Sequence, residues 1–422
     1  MIRPNILVIL TDDQNGSALS CAGNRWLYTP AMDSLASQGT RFTNAYAVAP
    51  QCTPSRYGLL NGVYPSSVGV RGNSDTPDPV LSPPVVADGL ANTLNVAGYH
   101  TAYSGKTGVN DFPTYGFAET LWGPGRERNL DYIIPWLQAS RPDPWILVTS
   151  WIQPHDINLE ALHDAFGVNR TTQLDEAMAN PPGVTDTEFF RSFAPLLPPN
   201  FPRTDTEPDG VAVMLAQDSQ RQWVRDNWTE QDWRRFRWAY FRLVERVDGY
   251  IGQMLSALYS SPYAQNTVVI FASDHGYLDC RHELENKQLP YHDALHSPLI
   301  VRPPGGGTAR VSDAVVNTGL DLLPTVLDYA GVDYSGRHGQ SARLAVEGMQ
   351  MPGRVHISEY YYGYCAQDGR YKLWRDDNGS ESLFDWEIDP GEMTNLGNDS
   401  AYDQVRAELG AVLDNHIATV PA

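Results

Sequence analysis

Asn5-Ile6-Leu7-Val8-Ile9-Leu10-Thr11-Asp12-Asp13 decides the fold. The apolar run at 6–10 does not alternate with polar residues, so both faces of the strand it predicts are covered, and it stops at two carboxylates. The same pattern recurs at 145–151, followed by His155 and Asp156, and at 268–272, followed by Asp274 and His275. Helical periodicity separates these runs, at 32–37, 86–97, 130–139 and 231–259. The alternation predicts an α/β fold, a large, mostly parallel sheet sandwiched by helices. In such sheets chemistry gathers beyond the carboxyl ends of the strands. The three strand exits therefore define one expected pocket.

Outward from this frame, residues 157–228 carry Pro181-Pro182, Pro195, Pro198-Pro199, Pro202 and Pro208 with only short helical patches. They predict a variable excursion over the rim of the site rather than core. Towards the C-terminus, 355–361, 371–375 and 382–386 predict short antiparallel strands, with turns at Asp368-Gly369 and Asn378-Gly379; 402–417 predicts a helix. The expected organisation is a catalytic α/β domain over 1–349 and a small α+β subdomain with a short antiparallel sheet over 350–422.

The chain has 422 residues, 42% of them hydrophobic, enough for a sizeable core. Fifty acidic against thirty basic residues give a formal charge of -20, which repels polyanions and argues against nucleic-acid binding. No apolar stretch approaches the roughly 20 residues of a membrane span. Without a basic, apolar leader the expected location is cytoplasmic, or periplasmic or secreted if a signal has been removed. Cys21, Cys52, Cys280 and Cys365 lack metal-type spacing and are too few for a disulfide scaffold. Lys106, Lys287 and Lys372 are the only lysines, so each stands out against a surface that otherwise uses arginine.

The chemistry centres on Cys52-Thr53-Pro54-Ser55-Arg56-Tyr57-Gly58-Leu59-Leu60-Asn61-Gly62. A thiol, then Pro54 and an apolar helical pattern, marks a helix start, where free backbone N–H groups favour an anion. The residues alone leave open a buried structural thiol beside a helix cap. Asp12-Asp13 and Asp274-His275 supply oxygen and nitrogen suited to a divalent cation, or helix caps and turns.

The run resembles the Cys-x-Pro-x-Arg signature of the type I, formylglycine-dependent sulfatases of the alkaline phosphatase superfamily. The similarity extends through 5–14, 98–106, 273–276, 321–332 and 383–396. It implies that Cys52 is oxidised to formylglycine by a formylglycine-generating enzyme and that its hydrate attacks the sulfur of a sulfated small molecule or carbohydrate. It further implies a cation, usually Ca2+, at Asp12, Asp13, Asp274, His275 and the modified Cys52. His275 stands where many members have Asn, and an imidazole makes Mn2+ an alternative.

By the same resemblance Arg56 bridges the nucleophile and the anionic group. Lys106 touches the diol or a sulfate oxygen, Lys287 grips sulfate and the leaving oxygen, and His155 stands at the substrate oxygen. Asn73 matches a residue that contacts the transferring group in phosphonate-monoester-hydrolase-like members, and His292 is an auxiliary acid or substrate contact. One departure is plain. The common Lys-x-His reads Lys106-Thr107-Gly108 here, so Thr107 offers only a hydroxyl, and His292, His155 or water must move the proton that the missing imidazole would take. The alternatives are a phosphonate monoester or phosphodiester hydrolase on the same scaffold, supported by His275 and Asn73, and an unmodified, noncatalytic binder of sulfated ligands.

Overall fold

The structure is a computed structural model describing residues 3–109, 115–121, 129–141 and 143–420. Among these residues, eight strands form the main sheet: Asn5–Asp12 (β1), Thr40–Tyr46 (β2), His100–Gly105 (β3), Glu119–Thr120 (β4), Trp145–Pro154 (β5), Thr267–Ser273 (β6), Leu299–Arg302 (β7) and Arg310–Asn317 (β8). Their order is β4-β3-β5-β1-β6-β7-β2-β8. All neighbours are parallel except where β7 pairs with β6 and β2.

The unalternating run in β1 has the expected consequence. Ile6, Val8 and Leu10 enter one core with Leu59, Leu323 and Val326, while Leu7 and Ile9 enter the opposite core with Trp136, Met254 and Leu258. Both faces are dry, so each strand depends on helices on either side. The Glu230–Tyr259 helix covers the second face and starts from a reciprocal Thr229–Asp232 capping box. Residues 86–97 form two helices, Ser82–Ala87 and Leu90–Val96, because the chain is extended at Gly89 (φ -71°, ψ 177°).

Residues 157–228 correct the expectation of a mere rim. They form the helices Asn158–Phe166, Thr172–Met178, Asp186–Ser192, Asp209–Gln217 and Ser219–Asn227. Leu174, Ala177 and Val224 are buried with Trp233, Phe236 and Tyr240, and Phe189 and Ala194 pack with Trp238. The prolines sit in the connections, so short apolar faces survive between them. The second sheet, His356–Tyr360 (β9), Gly363–Gln367 (β10), Tyr371–Asp376 (β11) and Glu381–Asp385 (β12), is antiparallel in the order β12-β11-β10-β9 and packs against the Asp403–Ile417 helix. β10 was not expected. The turn before it is Tyr361-Tyr362, which lacks the Gly, Asn or Asp that marks a hairpin in sequence. No described helix is long and apolar enough to cross a membrane.

Candidate active site

Because β5, β1 and β6 are adjacent and parallel, their carboxyl ends meet at one edge. Asp12 lies opposite Pro154, and Thr11 opposite Ser273. Asp13, His155, Asp274 and His275 follow on the turns. Asp13 takes the left-handed conformation (φ 68°), and its carbonyl accepts a hydrogen bond from the Tyr240 hydroxyl at 2.9 Å. Gly276 lets the chain turn tightly after His275, since a Cβ there would lie 2.0 Å from the Asp293 carbonyl oxygen.

The Cys52–Asn61 helix brings the thiol to this edge, and all its residues are buried. Gln51 precedes it in extended conformation, so the helix begins at Cys52, the Thr53 N–H going to Asn73 Oδ1 and the Ser55 N–H to the Gln51 carbonyl. Cys52 Sγ stands 3.1 Å from Lys287 Nζ, 3.4 Å from His275 Nε2, 3.5 Å from Asp12 Oδ1 and 3.7 Å from Lys106 Nζ. Lys106 ion-pairs with Asp12, and Lys287 with Asp13. Two ammonium groups thus flank the sulfur, each tied to one of the paired carboxylates.

Arg56 is only 1% exposed. Its Nη2 and Nε donate to Asp12 Oδ2 and Asp274 Oδ2, both at 2.9 Å, and its Nη1 donates to Ser150 Oγ at 2.7 Å and the Lys106 carbonyl at 3.1 Å. These contacts point to carboxylates behind the thiol, and none is to Cys52 Sγ. The planar fork fits this two-carboxylate task as an ammonium would not. Gly108 (φ 63°) leaves room for it, because a Cβ would come within 2.4 Å of Arg56 Cδ.

Burial drives the Cys52 thiol pKa up, but Lys106 and Lys287 more than offset it, and the net shift is down. Burial likewise opposes ionisation of Asp12, yet Lys106, His155 and Arg56 hold it well below the usual carboxylate range. Asp13 is raised, burial outweighing Lys287. His155 is pushed down to about 4 by burial and then by Lys106. Its Nδ1 is buried without a partner.

The donor set fits a divalent cation. One atom each from Asp12, Asp13, Cys52 and His275 lie within 4.8 Å of one another, all on buried residues. His275 Nδ1 lies 2.8 Å from the Gly276 carbonyl, so in the neutral ring Nδ1 carries the proton and Nε2 offers its lone pair to the cluster, 3.3 Å from Asp13 Oδ1. Asp274 is differently engaged. Its Oδ2 accepts from Arg56, and its Oδ1 accepts the N–H groups of Asp13 at 3.3 Å and His275 at 2.9 Å.

Of the remaining expected residues, Asn73 lies at the helix start, its Oδ1 accepting the Thr53 N–H at 3.0 Å. Thr107 is half-buried beside Lys106. His292 stands apart. Its ring packs 4.0 Å from Trp386 and 4.6 Å from His296, its N–H donates to Glu392, and no hydrogen bond or ion pair among the described residues joins it to Cys52. Four supporting residues escaped the sequence reading: Ser150, Tyr240, Ser55, which donates to the Asp274 carbonyl, and Asn158, whose Nδ2 donates to Asp13 Oδ2 at 2.5 Å. Ser55, inside the Cys52–Gly62 signature, and Asn158, three residues past His155 at a strand exit, had a signal.

The comparisons agree with this geometry. The family profile described as Sulfatase matches residues 4–332, and that described as N-sulphoglucosamine sulphohydrolase, C-terminal, matches 275–419. A Delta 4,5-hexuronate-2-O-sulfatase of Bacteroides thetaiotaomicron is 28% identical over 448 residues, covering 98% of this chain and 89% of the relative. An arylsulfatase of Clostridium perfringens is 26% identical, covering 96% and 92%. Among solved structures, a 2-O GAG sulfatase superposes with a TM-score of 0.82 at 26% identity, covering 99% of this chain and 92% of that one. The phosphonate monoester hydrolase of Agrobacterium radiobacter shares the fold, with a TM-score of 0.79 at 22% identity and coverage of 99% and 96%. With the family profile spanning most of the chain and the strand-end cluster gathered around Cys52, this protein belongs to the sulfatase family and is a sulfuric ester hydrolase.

Proposed function

We propose that the chain hydrolyses an aryl, small alkyl or carbohydrate sulfate through a formylglycine made from Cys52 by a formylglycine-generating enzyme. The observation that carries this reading is the position of Cys52 Sγ, within 3.7 Å of both Lys106 and Lys287 and gathered with Asp12, Asp13 and His275. Formylglycine would supply a geminal pair of hydroxyls, one to attack sulfur and one whose ionisation lets sulfate leave. A divalent ion, Ca2+ or Mn2+, would be held by Asp12, Asp13 and His275, with Asp274 alongside and an oxygen of the modified side chain in place of sulfur; its chemistry is to polarise a sulfate oxygen.

The chain's own groups do the rest. Lys106 and Lys287 neutralise the sulfate oxygens, and the helix N-terminus adds favourable potential. Arg56 positions Asp12 and Asp274. Donation to the leaving oxygen falls to Lys287, His155 being held neutral by burial near pH 7, and general acid help is typically worth about 10²- to 10⁴-fold. Asn73 positions the helix start, and His292 is left without a place in the reaction.

The mass of the peptide containing Cys52 tests this directly. Active protein should show conversion of thiol to aldehyde, and active protein retaining an ordinary thiol would overturn the proposal. Cys52→Ser should manage at most one slow turnover, because it lacks the second hydroxyl. His275 in the acceptor set favours one second reading, a phosphonate monoester or phosphodiester hydrolase. Rates on 4-nitrophenyl sulfate and on a phosphodiester, each under Ca2+ and Mn2+, separate the two.

A further inference from the structure

A cavity of about 290 Å³ opens beside the first turn of the Cys52–Asn61 helix, lined by Gln51, Asn73, Gln217, Asp218, Gln288 and Tyr362. Gln51 and Asn73 tie it to the nucleophile, one preceding Cys52 and the other bonded to the N–H of Thr53. We propose that this cavity is the leaving-group subsite and that it takes an uncharged, hydroxyl-bearing ring, a neutral sugar, in preference to a carboxylate-bearing one. This inference rests on the reaction proposed above.

The amides are oriented by the protein. Gln288 lies in the left-handed region (φ 91°), and its N–H donates to the Pro50 carbonyl at 3.0 Å. Its Oε1 accepts from Arg221 Nη1 at 2.8 Å; because guanidinium can only donate, the amide NH2 is the end left over. Asn73 is in the same state, its Oδ1 used by Thr53 and its NH2 free. Gln51 has the opposite polarity. It is 5% exposed, and its Oε1 is buried with no hydrogen-bond partner. That oxygen is closed off from solvent, so a ligand in the open cavity cannot reach it, and what the cavity offers is the amide donors of Gln288 and Asn73. These two amide donors match the oxygens of neighbouring hydroxyls, which accept. Tyr361, 44% exposed and packed over Gly72, adds an aromatic surface of the kind that covers the apolar face of a sugar.

The charges point the same way. Arg221 is buried and already serves Asp218 at 3.2 Å, Glu285 at 3.8 Å and Gln288. Arg71, next to Gly72, is committed to Asp377 and the carbonyls of Tyr360 and Gly363. Lys287 turns the other way, to Asp13 and Cys52. Among the described residues no cation on this wall remains for a carboxylate, whereas Asp218 would face it as a like charge. A quaternary ammonium group would suit Asp218 but leave both amide donors unanswered.

The test uses aldehyde-bearing protein with monosulfated methyl glucosides and the methyl glucuronosides sulfated at the same position. The expected result is kcat/KM roughly tenfold or more in favour of the neutral sugars, from like-charge repulsion alone. Asp218→Asn, which can still cap its helix, should narrow that ratio. Gln288→Met should raise KM for the neutral sugars roughly tenfold and leave their kcat nearly unchanged. Equal or better use of glucuronosides, a preference for choline sulfate over the sugars, or a ratio unmoved by both variants would overturn the assignment. If aldehyde-bearing protein turns over neither 4-nitrophenyl sulfate nor any of the sulfated glycosides, the proposed reaction fails separately, and saturation-transfer NMR with unsulfated glycosides still decides the pocket. Transfer to methyl glucoside, lost in Gln288→Met, supports it, and equal transfer to methyl glucuronoside defeats it.

Discussion

Lys287 Nζ lies 3.1 Å from Cys52 Sγ while forming an ion pair with Asp13, so one buried ammonium joins the Cys52 thiol to the carboxylate pair. The backbone around it is bent to make this possible. Asn286 and Gln288, on either side, both take positive φ, at 78° and 91°. Left-handed conformations at non-glycine residues cost about 1–3 kcal/mol each and persist where the surroundings dictate them. Here they turn Lys287 inward and Gln288 towards the neighbouring cavity.

Lys287→Met should therefore lower kcat/KM about 10²- to 10³-fold, the scale for removing one preorganised charge from a developing anion. It should also destabilise the metal-free protein by about 3–5 kcal/mol, because Asp13 loses its buried partner. Steady-state kinetics with denaturant unfolding checks both, and unchanged kcat/KM would remove Lys287 from the reaction.

Arg56→Lys separates positioning from charge. Lysine keeps the charge but cannot serve Asp12, Asp274 and Ser150 together in a planar fork. The expected outcome is lower thermal stability and weaker affinity for Ca2+ or Mn2+, since Asp12 is no longer held. Metal titration followed by thermal denaturation reads both, and full retention of cation affinity would contradict the positioning role.

Much of this site was legible because its chemistry lies at strand ends. Unalternating runs at 6–10, 145–151 and 268–272 fixed where Asp12, His155 and Asp274 would emerge, and parallel neighbours then had to bring them together. The signature around Cys52 marked the thiol that the strand ends surround. What stayed hidden depends on tertiary contact. Ser150 and Tyr240 reach the cluster from a strand interior and a long helix, with no local pattern to mark them. His292 misled for the matching reason: five residues after Lys287, it nonetheless packs with His296 and Trp386. β10 was missed because its hairpin turns at two tyrosines.

Cation removal should be visible in stability as well as activity. Ca2+ or Mn2+ added to chelator-treated protein is expected to raise Tm, since a ligand that binds only the folded state stabilises it by about 2.7 kcal/mol at a hundredfold excess over Kd. Asp13→Asn and His275→Ala should each blunt the rise. A rise of equal size in both variants would place the cation elsewhere.

Acid sensitivity follows from a second group of histidines, away from the strand ends. Burial pushes His282 down to about 3 and His296 to about 4, and it holds His292 and His356 well below their usual range. In the unfolded chain each titrates near about 6.5. The unfolded state therefore takes up more protons below that pH. Stability should be fully present above about 6.5 and fall as pH drops towards 4, by up to about 1.4 kcal/mol per pH unit for each histidine. Glu285, raised to about 7 by burial, works in the opposite sense and offsets one of them between its folded pKa and the ordinary carboxylate value. Urea unfolding between pH 7.5 and about 5 should show a slope that sets these histidines against Glu285 and Asp248, the latter raised to about 6 by burial. His356→Phe, which keeps a ring in the cluster with Tyr46 and removes one titration, should reduce that slope by about one proton. A slope unchanged by His356→Phe would show that this histidine is not held neutral by folding.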